Sequence, residues 1–255
     1  MIVDRDCLFR NLTEFTWKGS PTPFEERVTL LDQAVDEAVS QVWRDLPEKH
    51  LHLALSGGVD SCTLLLKALP HGPVTTHTLG VGETHPDILY ARLILTHLEG
   101  VRCLEHLDPV SPRDVQVSNS ILGTTAQKPD MYLLLMEAIR PYTKDVVCGD
   151  LIDELLGGYY QHQQGTLEVF QGLFDNLVPN HLEPLDQIST ALGIRVHLPY
   201  GRLGVLQACS LFSPEELAGP GFRKKPLSEV AFRCGVPSDI ILRRKRGLVS
   251  AKDVC

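Results

Sequence analysis

The sequence predicts an α/β protein with a doubly wound parallel sheet and a helical C-terminal part. Short apolar, β-branched segments alternate with helix-like segments over residues 51–148, a pattern typical of strands joined by helical crossovers. A glycine-rich turn follows the first strand-like segment, where α/β sheets bind their ligands. Beyond residue 151 the pattern becomes helical. A length of 255 residues indicates one principal core with helical additions.

An amphipathic helix is predicted first, over residues 26–46. Its apolar side chains recur every three or four residues: Val28, Leu31, Val35, Val39, Val42 and Leu46. We expect residues 1–50 to form an N-terminal helical extension and residues 51–255 to form the principal domain.

Strands and helices then alternate along the chain. Strands are predicted over residues 51–55, 74–79, 101–107 and 144–148. Helices are predicted over residues 60–69, 86–98 and 131–140. A later helix should start at Ser213, which can cap it, with Pro214 in the first turn and two acidic residues near its positive end.

Composition and charge argue against several classes of protein. The net charge of −8 disfavours a broad nucleic-acid-binding surface. No segment approaches the roughly 20 apolar residues that cross a bilayer, and Asp4 and Asp6 stand where a secretory signal would need an apolar run. The seven cysteines are widely spaced without a Cys-x-x-Cys pair, so neither a disulfide framework nor a zinc site is predicted. We expect a cytoplasmic protein.

Positive charge is concentrated in two C-terminal runs, residues 223–225 and 243–246. Each run could be a solvated surface or could bind an anionic small ligand.

The segment SGGVDS, residues 56–61, is predicted to bind phosphate. Two glycines allow a tight turn and a close backbone approach to an anion, while Ser56 and Ser61 offer hydroxyl donors at the start of a helix. The spacing of a Walker loop is absent. Asp60 is a candidate Mg²⁺ ligand, because a carboxylate beside phosphates needs a divalent cation between them. The alternative is a glycine-rich turn without a ligand.

This segment resembles the SGGxDS signature of the ATP pyrophosphatases, the PP-loop superfamily, whose fold is adenine nucleotide α-hydrolase-like. The stretch GDLIDELLGGY, residues 149–159, is similar to GEGxDELFGGY of asparagine synthetases and β-lactam synthetases. Residues 225–247 are similar to the C-terminal Lys…Ala-Phe…Leu-Pro…Ile…Arg-x-Lys-x-Gly pattern of the same family. The resemblance covers roughly residues 50–250 and implies a stand-alone synthetase domain.

The resemblance implies a role for each matching residue. Asp60 and Asp153 would bind Mg²⁺. Lys245 would contact phosphate and stabilise charge that develops as the amide forms, and Lys225 would lie near pyrophosphate. Asp150 stands where the family has a glutamate near the acyl substrate and the attacking nitrogen. The implied ATP-binding positions are Leu55, Ser56, Gly57, Gly58, Asp60, Ser61, Leu79 and Gly149.

Some of these residues also have a structural interpretation. Asp153 could compensate a helix dipole, and Lys245 could be a surface charge. Cys148 is expected to pack as a small apolar residue. His50 and His52 could suggest a metal pair, but without a third ligand they are expected to be solvent-exposed.

The chain also departs from asparagine synthetases. Position 2 is Ile2 rather than the nucleophilic cysteine of their glutaminase domain, and the short stretch before residue 51 leads us to expect no glutaminase. Residues 195–202 differ in charge from the family's segment, and Leu151 replaces a glycine, so the carboxylate substrate stays open. The nitrogen is expected from free ammonia, from ammonia passed by a separate partner, or from a substrate amine.

The sequence therefore predicts an AMP-forming ligase. It would adenylate a small carboxylic or amino acid with ATP and Mg²⁺, release pyrophosphate and pass the acyl group to ammonia or an amine. Two alternatives are a PP-loop sulfurtransferase-type enzyme acting on a nucleic-acid carbonyl and a non-catalytic nucleotide-binding subunit. A separate ammonia-supplying or carrier partner is compatible with the hypothesis, whereas membrane and nucleic-acid partners are not expected.

Overall fold

A computed structural model describes residues 1–107 and 110–243, and these form a five-stranded, all-parallel sheet. The strands are β1 (Leu51–Ala54), β2 (Val74–Leu79), β3 (Arg102–His106), β4 (Asp145–Val147) and β5 (Arg195–His197). Their order is β3-β2-β1-β4-β5, because the chain moves outward to β3 and then returns to the other side of β1. The predicted doubly wound parallel sheet is confirmed.

Helices cover the sheet and its edges. The α-helices are α1 (Arg5–Thr13), α2 (Phe24–Asp45), α3 (Val59–Ala68), α4 (Pro86–Leu95), α5 (Pro112–Leu122), α6 (Met131–Ile139), α7 (Ile152–Leu156), α8 (Leu167–Asp175), α9 (Glu183–Leu192), α10 (Leu203–Ser210), α11 (Pro214–Leu217), α12 (Lys225–Arg233) and α13 (Ser238–Ile241). Short 3-10 turns lie at Leu69–His71, Tyr160–Gln164 and Pro199–Gly201, and a π-helical turn lies at Val178–Leu182. In the part of the chain that the structure describes, no helix is long and apolar enough to span a membrane.

The crossovers place helices on both faces of the sheet. The connection from β1 to β2 and the connection from β3 to β4 run in opposite directions across the sheet, so right-handed crossovers put α3 and α6 on opposite faces. Helices α2 and α12 pack with α3, while α5 and α9 pack with α6. One hydrophobic cluster extends from Ile2 to Ile240. The N-terminal helices therefore share a core with the sheet.

The long helix α2 shows how the sequence pattern becomes packing. Its apolar stripe is buried and comprises Val28, Leu31, Val35, Val39 and Val42. Arg27 is also buried, and its guanidinium donates hydrogen bonds of 2.8 and 2.5 Å to the two carboxylate oxygens of Glu216. Glu216 belongs to the capping box of Ser213 at the start of α11, so this ion pair fixes α2 against the predicted later helix.

The predicted elements of residues 51–148 are all present, with bounds within three residues of those expected. The expectation of a helical pattern beyond residue 151 is wrong at Arg195–His197, which forms β5 beside β4. This strand has three residues and a single apolar side chain, Val196. The sequence therefore lacks the alternation of apolar residues that would predict a strand. Its pairing with β4 determines its conformation, which is a tertiary effect.

The expectation that His52 is solvent-exposed is also wrong. His52 is buried, and its Nδ1 atom lies 2.8 Å from Nε2 of His77 on the neighbouring strand. His77 Nδ1 lies 3.2 Å from His106 Nε2, so the three rings form a row across β1, β2 and β3. Burial lowers the pKa of His52 to about 4 and that of His77 to about 3, so both rings are neutral at neutral pH. Cys148 is buried, as expected.

Candidate active site

A cavity of about 400 Å³ opens at the carboxyl ends of β1, β2 and β4. The loops after β1 and β4 lead to helices on opposite faces, so a crevice forms between them at the point where the strand order reverses. Leu79 at the end of β2 and Gly149 after β4 line this crevice, together with side chains of α6. The sequence predicted a ligand site at this edge of the sheet.

Residues 56–61, which we call the phosphate loop, join β1 to α3. Gly57 has φ +65°, and a Cβ atom there would lie 2.4 Å from the backbone nitrogen of Ala91, so this turn requires glycine. The backbone N–H of Ser56 donates to Ser61 Oγ at 3.2 Å, which closes the turn over the N-terminus of α3. The N-terminal end of a helix and its free N–H groups favour an anion.

Two carboxylates from different strand ends converge on one lysine. Lys224 Nζ lies 2.5 Å from Asp60 Oδ1 and 2.7 Å from Asp153 Oδ1. Asp60 is in the first turn of α3, after β1, and Asp153 is in the first turn of α7, after β4. The side chains of Lys224, Asp60 and Asp153 are 6%, 15% and 13% exposed. The structure thus brings together the two acids that were predicted to converge.

The lysine at this position is Lys224, one residue before the predicted Lys225. Lys225 is exposed at the start of α12, and its Nζ lies 4.6 Å from the centroid of the Phe24 ring. It does not line the cavity, so this placement corrects the expectation that Lys225 lies near pyrophosphate. Lys224 precedes α12 in a left-handed conformation (φ +50°), and Lys225 is the first residue of this helix, so the two consecutive side chains lie in different surroundings. Lys245, the other predicted lysine, lies outside the described residues.

Gly158 allows the chain to approach this ion pair closely. A Cβ atom at Gly158 would lie 1.7 Å from Asp153 Oδ1 and 2.2 Å from Lys224 Cε, so no larger residue fits. Its carbonyl accepts a 2.6 Å hydrogen bond from Arg223, whose guanidinium lies 4.3 Å from the centroid of the Tyr160 ring. The second glycine of the Gly-Gly pair in GDLIDELLGGY is therefore required sterically, because any side chain there would collide with Asp153 and Lys224.

The other half of the cavity carries two carboxyl–phenol pairs. The Tyr132 hydroxyl donates to Asp150 Oδ1 at 2.7 Å, and the Tyr159 hydroxyl donates to Glu154 Oε1 at 2.5 Å. Glu154 is 3% exposed. Burial, with the nearby charge of Asp153, raises its pKa from 4.5 to about 7. Glu154 can therefore accept or release a proton near neutral pH, which sequence reasoning did not predict.

Arg243 is a second cavity residue that sequence reasoning did not single out. Its guanidinium donates to the Ser56 carbonyl at 2.7 Å, forms a buried ion pair with Asp87 and lies 4.4 Å from the centroid of the Tyr90 ring. It thus joins the phosphate loop to α4. The signal in the sequence was the basic run of residues 243–246, which identifies a charge but no partner.

Leu151 follows Asp150 in a conformation that favours glycine. Its φ is +83° and its side chain is buried, lining the cavity. The resembling sequences carry a glycine at this position, and the structure shows why: the backbone must turn sharply between β4 and α7. A non-glycine residue in such a conformation costs about 1–3 kcal/mol. Burial of a leucine side chain offsets a similar amount.

Most predicted site residues line this cavity. Those that do are Leu55, Ser56, Gly58, Asp60, Ser61, Leu79, Gly149, Asp150 and Asp153. Gly57 shapes the phosphate loop from the side of α4.

Asp60 and Asp153 could hold a divalent cation with help from a ligand. Among the described residues, no group of three or more His, Cys, Asp or Glu side chains could hold a metal ion. Mg²⁺ in phosphate-binding sites, however, typically takes one or two carboxylates and completes its shell with phosphate oxygens and water. Both acids already converge on the cationic nitrogen of Lys224, so the residues fit such an ion.

Comparisons with known proteins complete the description. The sequence model of the asparagine synthase family matches residues 30–173, more than half of the chain. Among solved structures, NMN synthetase from Francisella tularensis is similar at 13% sequence identity and a TM-score of 0.41, over 88% of this chain and 75% of that chain. A search of curated proteins finds no match.

Proposed function

Because the chain belongs to the asparagine synthase family, we propose that it is an AMP-forming ligase that adenylates a carboxylate and transfers the acyl group to ammonia or an amine. The observation that carries the proposal is the division of one cavity into two chemically different halves. The phosphate loop and Lys224 form a half suited to anions, and Glu154 and Asp150 form a half suited to amines and protons.

In the first step, a substrate carboxylate oxygen attacks the α-phosphorus of ATP, and the bond to the β,γ-pyrophosphate breaks. The phosphate loop, at the N-terminus of α3, would bind the leaving pyrophosphate through its N–H and hydroxyl groups. Lys224 would offset the negative charge that develops on the pyrophosphate. A divalent cation held by Asp60 and Asp153 would supply further neutralisation of phosphate charge.

In the second step, the amine nitrogen attacks the acyl carbon, and the bond to AMP breaks. An ammonium ion must lose one proton before it can attack and a second as the amide forms. Glu154 is suited to accept a proton, because its pKa of about 7 leaves a large fraction ionised at neutral pH. The Tyr159 hydroxyl, 2.5 Å away, orients the accepting carboxylate.

The proposed substrates are a small carboxylic or amino acid and a nitrogen donor. The donor is free ammonia, ammonia from a separate partner, or an amine that the substrate itself carries. The proposed location is the cytoplasm. Asp150 and Glu154 would attract the cationic form of an amine to the half of the cavity beside α6.

The experiment that tests the proposal measures ATP–pyrophosphate exchange and AMP formation with Mg²⁺, ammonium and a panel of carboxylic and amino acids. We expect carboxylate-dependent exchange without a nitrogen donor and AMP formation when the donor is added. The Asp153→Asn variant should reduce exchange by at least about 100-fold, and Asp175→Asn, at an exposed aspartate that ends α8, serves as the matched control. Formation of ADP instead of AMP would exclude adenylation.

A further inference from the structure

Lys224 occupies the place where the proposed reaction needs a divalent cation. Its Nζ atom lies 2.5 Å from Asp60 and 2.7 Å from Asp153, within hydrogen-bond distance of both candidate metal ligands. The side chain is buried, at 6% exposure, and it lines the same cavity as the phosphate loop. An ammonium group and a divalent cation cannot both occupy this position.

Contacts with neighbouring residues fix the position of the Lys224 side chain. Lys224 has a left-handed backbone conformation (φ +50°), and its side chain is buried between two carboxylates. The absence of a side chain at Gly158 leaves room for the stem, since a Cβ atom there would lie 2.2 Å from Lys224 Cε. Neighbouring Arg223 fixes the same backbone by donating to the Gly158 carbonyl at 2.6 Å. These contacts distinguish Lys224 from a mobile surface lysine.

The ammonium group also solves an electrostatic problem. Asp60 and Asp153 are both largely buried, and two adjacent carboxylates without a cation would repel each other. When no metal is bound, Lys224 compensates both charges. Its four-carbon stem can carry the ammonium to another place in the cavity when a metal arrives.

We infer that Lys224 is a resident counter-cation, which a divalent cation displaces from Asp60 and Asp153 and which then pairs with phosphate. This inference rests on the proposed function only in its last part, the pairing with ATP phosphate. Displacement has a thermodynamic consequence. The metal alone binds weakly because it must expel Lys224, whereas metal and pyrophosphate together bind cooperatively because the phosphate provides the ammonium with a new partner.

The test measures Mn²⁺ binding by electron paramagnetic resonance on the full chain without nucleotide. Lys224→Met keeps the length of the stem and removes the charge. We expect the variant to bind Mn²⁺ at least about tenfold more tightly than the wild type, the lower end of the coupling measured for close, desolvated charge pairs. Lys144→Met, the matched control, should bind Mn²⁺ like the wild type. Equal or weaker Mn²⁺ binding by folded Lys224→Met would overturn the inference.

A second measurement uses the wild type, so that a folding defect in the variant cannot obscure the result. Lysine labelling with an amine-reactive reagent, read by mass spectrometry, should find Lys224 protected relative to Lys144. Saturating Mn²⁺ should increase the labelling of Lys224, and pyrophosphate added while free Mn²⁺ is kept saturating should restore protection. Labelling of Lys224 that stays unchanged on addition of Mn²⁺ would overturn the inference.

The outcome is separable from that of the proposed function. If Mn²⁺ displaces Lys224 but neither carboxylate-dependent ATP–pyrophosphate exchange nor AMP formation is found, the counter-cation role stands and the adenylation proposal fails. If ATP–pyrophosphate exchange occurs while Lys224→Met leaves Mn²⁺ binding unchanged, adenylation stands and the counter-cation inference fails.

Discussion

Glu154→Gln tests the role of the buried Glu154 carboxyl group. Ionisation of this group should affect both the stability of the fold and the proposed amide-forming step. The substitution keeps the size of the side chain and the oxygen that accepts the hydrogen bond from Tyr159. It removes the proton equilibrium. Any pH dependence that the wild type shows and the variant lacks is therefore attributable to this carboxyl group.

The magnitude follows from the pKa of Glu154. Burial raises this pKa from 4.5 in the unfolded chain to about 7 in the folded protein. Between these values the folded protein binds more protons than the unfolded chain, so stability falls as the pH rises. The stabilising effect of the buried proton is fully present below about pH 4.5 and is lost as the pH rises through about 7. At about 1.4 kcal/mol per pH unit, the unfolding free energy of the wild type should fall by about 3 kcal/mol relative to that of the variant as the pH rises from 4.5 through about 7.

The assay is urea unfolding of both proteins at several pH values from 4.5 to 8. We expect the difference in unfolding free energy to change by about 3 kcal/mol in favour of the variant as the pH rises. In the amide-forming reaction, the wild-type kcat should fall at acidic pH with an apparent pKa near 7, and the variant should lack this limb and turn over slowly. Parallel stability curves would refute the raised pKa, and an unchanged kcat would remove Glu154 from the proton transfer.

Four substitutions, one of them a control, test the rest of the cavity. Asp153→Asn should reduce ATP–pyrophosphate exchange by at least about 100-fold with little loss of Tm, because it removes one of two candidate cation ligands; exchange at the wild-type rate would exclude this role. Gly57→Ala should lower the unfolding free energy by about 2 kcal/mol or more, since its Cβ would collide with the Ala91 backbone at φ +65°. In Gly58→Ala, the control, the Cβ would meet only the side-chain oxygen of Ser56, at 3.3 Å, and stability should change by less than about 1 kcal/mol. Arg243→Met should destabilise the fold by about 3–5 kcal/mol because it leaves a buried carboxylate unpaired; a urea midpoint equal to that of the wild type would contradict this buried pairing.

Local signals were sufficient for the sheet and the phosphate loop. The strands β1 and β2 are apolar or β-branched, and the turn between β1 and α3 needs glycine for its φ, so each can be recognised from neighbouring residues. Crossovers of one hand then place the helices on both faces of the sheet. The short β5 could not be predicted in this way, because its pairing with β4 is non-local.

The sequence was sufficient to predict that the acidic side chains of the site lie together, but it was not sufficient to predict which basic side chain they contact. Asp60 and Asp153 stand at fixed offsets from strand ends, and the carboxyl ends of neighbouring parallel strands must meet. Lys224 and Lys225 are adjacent lysines that the sequence does not distinguish, and only the folded structure shows that Lys224 is the one buried between the two acids. The raised pKa of Glu154 depends first on the burial of its side chain, so it becomes visible only in the folded structure.

Leu151 connects the cavity to the beginning of the chain. A Cβ atom at Gly201 would lie 3.0 Å from Leu151 Cδ1 and 2.7 Å from Leu8 Cδ1, so Leu8 of α1 and Leu151 press on the same glycine. Helix α1 thus packs behind the sharp turn that places Asp150 and Asp153 in the cavity. Leu8→Ala would therefore remove packing beside this turn without changing any residue that lines the cavity.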